Sequence, residues 1–301
     1  MRALRTVLIG GAALFALAFG WLLFVWPPPS WYRTHWPAGT AFMQLRQGQL
    51  EAAHALTGRR YEPVALDAMS EWLGKAAIAA EDEAFYRHHG VDWRAMREAL
   101  GYRRTAFAMS DAGDRRELRR VLGSAWSRRD RLRGASTITQ QLAKNLYLSP
   151  SRNPLRKLKE VLIAYRLERA LPKDRILALY LNVAEFGPNL WGVEAASRAY
   201  FGKSADRLSL EEAAELIAIL PHPLTSNPAH HPGRTLARAQ LILRHLRGEN
   251  VEVPLEEPVD SVPLPPIIPV VPLDTVAPIP APSLPIDTLA KHPPDSTPKR
   301  P

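Results

Sequence analysis

The sequence contains no cysteine, which excludes disulfide cross-links and any mechanism that needs a thiolate. This absence suits an oxidising compartment, although by itself it does not place the protein in one. Strand signals are also scarce, because the chain has neither a long alternation of apolar and polar residues nor an Asn-Gly or Asp-Gly turn. The fold is therefore predicted to be mainly α.

The positive charges outnumber the negative ones, and the formal net charge is +9. Such an excess suggests an anionic partner, which could be nucleic acid, a phospholipid surface or a phosphorylated substrate. Composition alone does not choose among these three classes, so the choice depends on where the chain is located.

An apolar run of 20 residues extends from Val7 to Trp26, about the length that a helix needs to cross a bilayer. Arg2 and Arg5 precede it, and by the positive-inside rule they keep the N-terminus in the cytoplasm. The alternative is a signal peptide cleaved near Ala16-Leu17-Ala18, but the apolar run continues well past that tripeptide. We therefore predict a single uncleaved anchor in the cytoplasmic membrane, a catalytic domain on the periplasmic side, and no nucleic-acid partner.

The rest of the chain divides into three parts. Residues 27–40 are predicted to be a connector, residues 41–250 a folded domain, and residues 251–301 a tail in which 15 of 51 residues are proline. The tail is predicted to be disordered and extended, and it could serve as a spacer or as a protein-docking segment. Capping and breaker signals in the domain predict helices over residues 70–88, 137–148, 154–171, 173–185, 209–220 and 234–247.

Three polar clusters in the domain are candidates for chemistry. The first, Glu81 to Gly90, places carboxylates beside apolar and aromatic residues, which can raise a carboxyl pKa to suit a general base. The second, Gly134 to Asn145, is a hydroxyl-rich helix N-terminus that could bind phosphate. The third, Arg156 to Glu160, places two cations around one carboxylate on a helix face. Taken singly, each also fits solvated charges, a capped helix or surface salt bridges.

Together and in this order, the three clusters resemble the signature motifs of the family 51 glycosyltransferases. Lys173 to Leu177 with Tyr180-Leu181-Asn182 is similar to the fourth motif of that family, and the segment from Glu185 to Lys203 is similar to the one that follows. The resemblance covers about residues 70–228. It implies a lysozyme-like, two-lobed helical fold and polymerisation of lipid II into β-1,4-linked glycan strands with release of undecaprenyl pyrophosphate.

The resemblance also implies roles for individual residues. Glu81 corresponds to the general base, and Glu160 to a second catalytic glutamate that helps to position the donor. The expected substrate-binding residues are Asp82, Phe85, Ser136, Thr137, Gln140, Gln141, Lys144, Asn145, Arg156 and Lys157. No cofactor is required by the sequence and no metal ligand set is visible, although Mg²⁺ or Mn²⁺ could assist at the pyrophosphate. Besides lipid II and the growing strand, penicillin-binding proteins and other wall-synthesis proteins are candidate partners.

Two departures and one insertion distinguish this chain. Ala178 lies where the fourth motif usually carries glutamate, and Ala135 where the second often has glycine. The link between Arg97 and Arg133 is longer than usual and rich in arginine. We expect it to form an amphipathic helix on anionic lipid, the alternative being a solvated basic insertion.

Two other functions remain open at this stage. A lytic, lysozyme-like glycosidase would need a catalytic acid but no pyrophosphate site, and a non-catalytic scaffold would need neither. A bifunctional penicillin-binding protein is not supported, because Ser296-Thr297-Pro298-Lys299 lies in the proline-rich tail and no Lys-Thr-Gly follows it.

Overall fold

The computed structural model describes residues 24–52, 58–102, 110–125, 136–148 and 154–254, together with scattered positions between residues 9 and 21. The described residues form ten α-helices: α1 (Ala41–Ala52), α2 (Glu71–Glu81), α3 (Trp93–Leu100), α4 (Ala112–Ala125), α5 (Ile138–Tyr147), α6 (Pro154–Ala170), α7 (Lys173–Val183), α8 (Val193–Phe201), α9 (Leu210–Ala218) and α10 (Gly233–Leu246). The prediction of a mainly α fold is confirmed.

The helices pack in two groups that share one hydrophobic core. Helix α5 contacts α1, α6 and α7, whereas α2 contacts α9 and α10. Alanines allow the helices of the second group to pack closely. Ala76, Ala77 and Ala80 of α2 are fully buried, as are Ala213 and Ala214 of α9. Small side chains let helix backbones approach, as close packing in an interior requires.

Local sequence signals set several of the helix ends. Thr137 caps α5 through a capping box with Gln140, and Ser209 caps α9 in the same way with Glu212. In both boxes the hydroxyl accepts from a free backbone N–H of the first turn. Both starts agree with the predicted ones, and so does the end of α6 before Leu171-Pro172.

Helix α2 is shorter than predicted, because it ends at Glu81 and not at His88. Asp82 leaves the helical conformation with φ −165°, and its carboxylate bonds to His88 and to the backbone of Ile138. These tertiary hydrogen bonds replace the last predicted turns. Ser70 does not cap α2 with its side chain, which donates instead to the Leu208 carbonyl at 2.8 Å.

Three short strands were not predicted. Strand β1 (Arg60–Tyr61) runs parallel to β3 (Leu190–Trp191), and β2 (Glu185–Gly187) pairs antiparallel with β3. The turn after β3 needs Gly192, which has φ +82°, because a Cβ there would lie 2.6 Å from the Asn182 carbonyl oxygen. This hairpin therefore lies against the C-terminal end of α7.

The structure describes only parts of the segments predicted at the two ends of the chain. The described positions between Ile9 and Trp21 are helical, and in the described part of the chain no helix is both long and apolar enough to span a membrane. The connector forms a 3₁₀ turn, Pro29–Arg33, whose Arg33 Nη2 donates to the Ala170 carbonyl at 2.7 Å. At the other end packing continues past residue 250, because Val253 is buried; the tail from residue 255 onward lies outside the described residues.

Candidate active site

Glu81 is the last residue of α2, and only 3% of its side chain is exposed. Its Oε2 accepts a hydrogen bond from Gln141 Nε2 at 2.9 Å, and its Oε1 lies 3.0 Å from Arg238 Nη2. Burial raises the pKa of Glu81, while Arg238, Gln141 and Lys144 act in the opposite direction without cancelling the effect. Glu81 is therefore a carboxylate that binds a proton more readily than an exposed glutamate does.

Arg238 is a site residue that sequence reasoning missed. It lies on α10 and is 5% exposed. Its Nη2 also donates to the Ala80 carbonyl at 3.1 Å, and its Nη1 donates to the Pro254 carbonyl. Its position in the sequence could have indicated this role, because it is the one cation on the apolar side of an amphipathic helix. The buried residues of α10 are Thr235, Arg238, Ala239, Ile242 and Leu243.

Gln141 is held in place by Tyr180 of α7. The Tyr180 hydroxyl donates to Gln141 Oε1 at 3.2 Å, which directs the amide Nε2 toward Glu81. Burial raises the pKa of Tyr180 well above its ordinary value, so this hydroxyl keeps its proton and remains the donor. A buried chain of donors thus runs from Tyr180 through Gln141 to the carboxylate.

Asp82 connects the first polar cluster to the second. Both of its carboxylate oxygens lie 2.9 Å from His88 Nε2, and Oδ2 accepts the backbone N–H of Ile138 at 3.0 Å. Gly90 N donates to His88 Nδ1 at 3.1 Å, so Nδ1 is the acceptor and Nε2 the donor. A carboxylate at the N-terminus of α5 also interacts favourably with the helix dipole. Asp82 therefore fixes the position of α5 relative to Glu81.

Several predicted substrate-binding residues lie in the interior. Phe85 is fully buried, and Lys173 Nζ lies 4.4 Å from its ring centroid. Thr137 donates to the Gly90 carbonyl at 2.7 Å while it caps α5. Gln140 completes the capping box and is fully buried, and Asn145 of the same helix is 8% exposed. In the described structure Thr137 and Gln140 cap α5, whereas Phe85 belongs to the hydrophobic core.

The third cluster joins the second through Lys157. Its Nζ donates to Ser136 Oγ at 2.8 Å and lies 2.5 Å from Glu160 Oε1, while Arg156 Nη1 lies 3.0 Å from Glu160 Oε2. Glu160 is nearly buried, at 4% side-chain exposure, whereas the side chains of Arg156 and Lys157 are 21% and 40% exposed. The carboxylate thus holds two partly exposed cations, an arrangement suited to a phosphate ligand.

The predicted residues therefore meet around one helix. Gln141 of α5 binds Glu81, Ser136 just before α5 binds Lys157, and Lys144 of α5 contributes positive potential at Glu81. Among the residues that the structure describes, no three His, Asp or Glu side chains are grouped to hold a metal ion.

The departure at Ala178 lies away from these residues. Ala178 is buried on α7 and lines a cavity of about 960 Å³ between α2 and α7. Its other walls include Gly74, Ile78 and Arg175, but none of the residues around Glu81 or Glu160. The position at which the family usually carries glutamate therefore lies away from both Glu81 and Glu160. Ala135 lies outside the described residues.

Comparison with known proteins identifies the family of this domain. Residues 48–247 match the family model described as "Transglycosylase". The chain is 38% identical over 242 residues to the biosynthetic peptidoglycan transglycosylase of Bordetella pertussis, which covers 80% of this chain and 92% of the relative. It is 39% identical over 211 residues to the protein of that name from Azoarcus sp. strain BH72, covering 70% and 82% of the two chains.

A longer relative matches over the same region. Penicillin-binding protein 1A of Escherichia coli K12 is 39% identical over 207 residues, which make up 69% of this chain and 22% of the relative. A family model that matches two thirds of the chain, with the two transglycosylases aligned over 92% and 82% of their own length, identifies the domain that surrounds Glu81. The chain belongs to the transglycosylase family, the family 51 glycosyltransferases.

Proposed function

We propose that this protein is a peptidoglycan glycosyltransferase that polymerises lipid II, with Glu81 as the general base. The observation that carries the proposal is the presence, in one domain, of a buried carboxylate whose pKa is raised by burial and of two partly exposed cations held by Glu160. A general base and a site for a phosphorylated leaving group are the two elements that this reaction requires. The names of the relatives point to the same substrate class.

In the proposed reaction, Glu81 removes the proton from the 4-hydroxyl of the acceptor sugar. The oxygen then attacks the anomeric carbon of the donor as the bond to the pyrophosphate breaks, which converts an α-linked donor into a β-1,4 bond. Gln141 and Arg238 orient the Glu81 carboxylate through hydrogen bonds of 2.9 and 3.0 Å. Preorganised donors of this kind lower the cost of bringing the base into position.

The leaving undecaprenyl pyrophosphate gains negative charge as the bond breaks. Lys144, Arg156 and Lys157 are the cations proposed to neutralise it, since charge-assisted hydrogen bonds to phosphate are stronger than neutral ones. Glu160 is proposed to act by holding Arg156 and Lys157 in place. Ser136, bonded to Lys157, would complete the donor side.

We further propose that the protein acts at the outer face of the cytoplasmic membrane. A lipid-linked substrate requires the enzyme to be near the bilayer, and the apolar segment Val7–Trp26 would supply a single-pass anchor. The domain boundaries predicted from the sequence are kept, except that the packed body extends at least to Pro254. The growing strand and other wall-synthesis proteins are the expected partners.

The test is incubation of the detergent-purified full chain with labelled lipid II, followed by gel separation of the products. The wild-type protein should yield a ladder of polymer, and Glu81→Gln should yield none. Glu98→Gln, an exposed glutamate of α3, is the matched control and should behave as wild type. Circular dichroism of both variants would verify that they are folded.

The other outcomes separate the alternatives. Lipid II that remains monomeric with the folded wild-type protein, with Mg²⁺ or Mn²⁺ also tested, would favour the scaffold. Shortening of preformed glycan would favour a lytic glycosidase, for which a carboxyl group of raised pKa could act as an acid. The partly exposed cations beside Glu160 favour synthesis, because cleavage of a glycan releases no pyrophosphate.

A further inference from the structure

Lys159 is a buried cation on α6 that the proposed reaction does not use. It is 8% exposed, although a lysine is almost never fully buried unless its charge is paired. Burial lowers the pKa of Lys159, and no carboxylate among the described residues opposes this effect. Both of its partners belong to Trp21. Lys159 Nζ donates to the Trp21 backbone carbonyl at 2.8 Å and lies 4.2 Å from the centroid of the indole ring.

Trp21 is the last described helical position of the N-terminal apolar segment. Phe24 N donates to the Gly20 carbonyl at 2.8 Å, and Phe24 itself is no longer helical. The carbonyl groups in the last turn of a helix have no partner within that helix, and a cation at this end interacts favourably with the helix dipole. Lys159 therefore acts as a C-terminal cap that the folded domain supplies to the apolar helix.

Other contacts hold the connector after Trp21 against the same part of the domain. The Tyr147 hydroxyl at the end of α5 donates to the Pro27 carbonyl at 2.8 Å. Arg175 Nε of α7 donates to the Tyr32 carbonyl at 2.7 Å. The connector is thus fastened to helices on either side of α6 in the sequence, and Lys159 continues this attachment into the apolar helix itself.

Lys159 also lies next to the proposed donor site, but on the opposite side of α6. At about 100° per residue, Lys157 and Lys159 are separated by about 200° around the helix axis. Lys157 binds Ser136 and Glu160 on one side, and Lys159 binds Trp21 on the other. The donor cations and the end of the apolar helix are therefore held about one helix diameter apart, about 10–12 Å.

We infer that Lys159 is a positioning residue for the donor site, because it couples the direction of the N-terminal apolar helix to the placement of Arg156 and Lys157. The inference rests on the proposed function, in which the apolar segment crosses the membrane and the donor is attached to a lipid. Tryptophan prefers the interface between membrane and water, which is also the level of a lipid-linked pyrophosphate. A rigid connection from Trp21 through α6 would hold the two cations at a fixed height relative to that level.

The coupling can be tested without measuring activity, because the chain contains no cysteine. Gly11 lies in the apolar segment and Gly48 in α1, and both are exposed with no atom within 4 Å of an added Cβ. The full chain with Gly11→Cys and Gly48→Cys would carry a nitroxide at each site, in lipid nanodiscs. Pulsed electron paramagnetic resonance would then give the distribution of distances between the two labels.

The distance distribution should be narrow in the otherwise unchanged chain and broader in Lys159→Met, which keeps most of the stem but removes the donor and the charge. Lys159→Arg should restore the narrow distribution, because a guanidinium group also donates and lies over aromatic rings. Lys75→Met is the matched control, since Lys75 Nζ lies 4.4 Å from the ring centroid of Trp72 on α2, and it should change nothing. A distribution equally wide with and without Lys159, or one that broadens as much in Lys75→Met, would overturn the inference.

The consequence for the reaction is measured with lipid II in vesicles. Lys159→Met should raise KM by about tenfold, because a lost hydrogen bond from a charged group weakens the alignment of the site. The kcat should stay near that of wild type, because Glu81 and its partners are unchanged, and thermal unfolding would verify the fold. A broader distribution with an unchanged KM would refute the positioning role. If the unsubstituted chain holds a narrow distribution but makes no polymer, the proposed function fails while the coupling stands.

Discussion

Removing the positive charge of Arg238 should raise the pKa of Glu81 further and shift the pH dependence of polymerisation. Arg238→Met retains much of the side-chain length but deletes a cation whose Nη2 lies 3.0 Å from Glu81 Oε1. Two unit charges about 4 Å apart interact by about 4 kcal/mol at an effective dielectric constant of 20. Each pKa unit corresponds to about 1.36 kcal/mol, so this attraction is equivalent to about three units, and relaxation of the site would leave roughly one to three.

The sign follows from the role of the base. Glu81 accepts a proton only when it is ionised, so activity is present above its pKa and is lost as the pH falls through it. Burial already raises that pKa, and Arg238 opposes the effect. Without Arg238, the acid limb of kcat/KM should move to higher pH by roughly one to three units. Activity lost at neutral pH should therefore be partly recovered at alkaline pH.

The assay is the initial rate of lipid II polymerisation across a pH series for three proteins. Arg244→Met makes the same substitution at an exposed position of α10 and should match wild type. Breaking a buried ion pair can cost about 3–5 kcal/mol of stability, so thermal unfolding of each variant would be measured in parallel. An acid limb that stays at the wild-type pH, with a rate that is uniformly lower, would show that Arg238 supports the fold and does not tune Glu81.

Three further changes test other parts of the site. Tyr180→Phe removes the donor to Gln141 and should lower kcat/KM by about tenfold, since an unmade buried hydrogen bond costs about 1–3 kcal/mol; an unchanged rate would remove Tyr180 from the positioning chain. Lys157→Met should lower kcat/KM by about a hundredfold if it stabilises the leaving group, and an unchanged kcat/KM would contradict that role. A chain ended after residue 256 should keep the wild-type pH profile, whereas one ended after Asn250 loses the Pro254 carbonyl that helps to hold Arg238. Because the positive charge is retained, its acid limb should move in the same direction as in Arg238→Met but by less; identical profiles would exclude a role for this segment.

Much of the helical framework could be predicted because its signals are local. Thr137 followed three residues later by Gln140 is a capping box whose hydrogen bonds are made within one turn. Pro172 ends α6 through a local effect, because a proline disfavours the helical conformation of the residue before it. Strands of two or three residues give no such signal, since alternation is not detectable over that length.

The site itself was only partly predictable, because its decisive contacts are between distant parts of the chain. Glu81 was identified through its motif, but its partner Arg238 lies 157 residues away and looked like one more cation of a basic helix. The early end of α2 has the same origin, since Asp82 exchanges helical hydrogen bonds for those to His88 and Ile138. Helix propensity describes the conformation that a segment prefers in isolation, and it does not account for hydrogen-bond partners from distant parts of the chain.

The hydrogen bond from Arg238 to Pro254 gives the proline-rich segment a mechanical connection to the chemistry. One guanidinium group binds the carboxylate of Glu81 and the carbonyl of Pro254, the last described residue. Any displacement of the backbone at Pro254 would therefore act directly on the guanidinium group that bonds to Glu81. The first residues of the segment that looks like a plain spacer thus help to set the surroundings of a buried carboxylate.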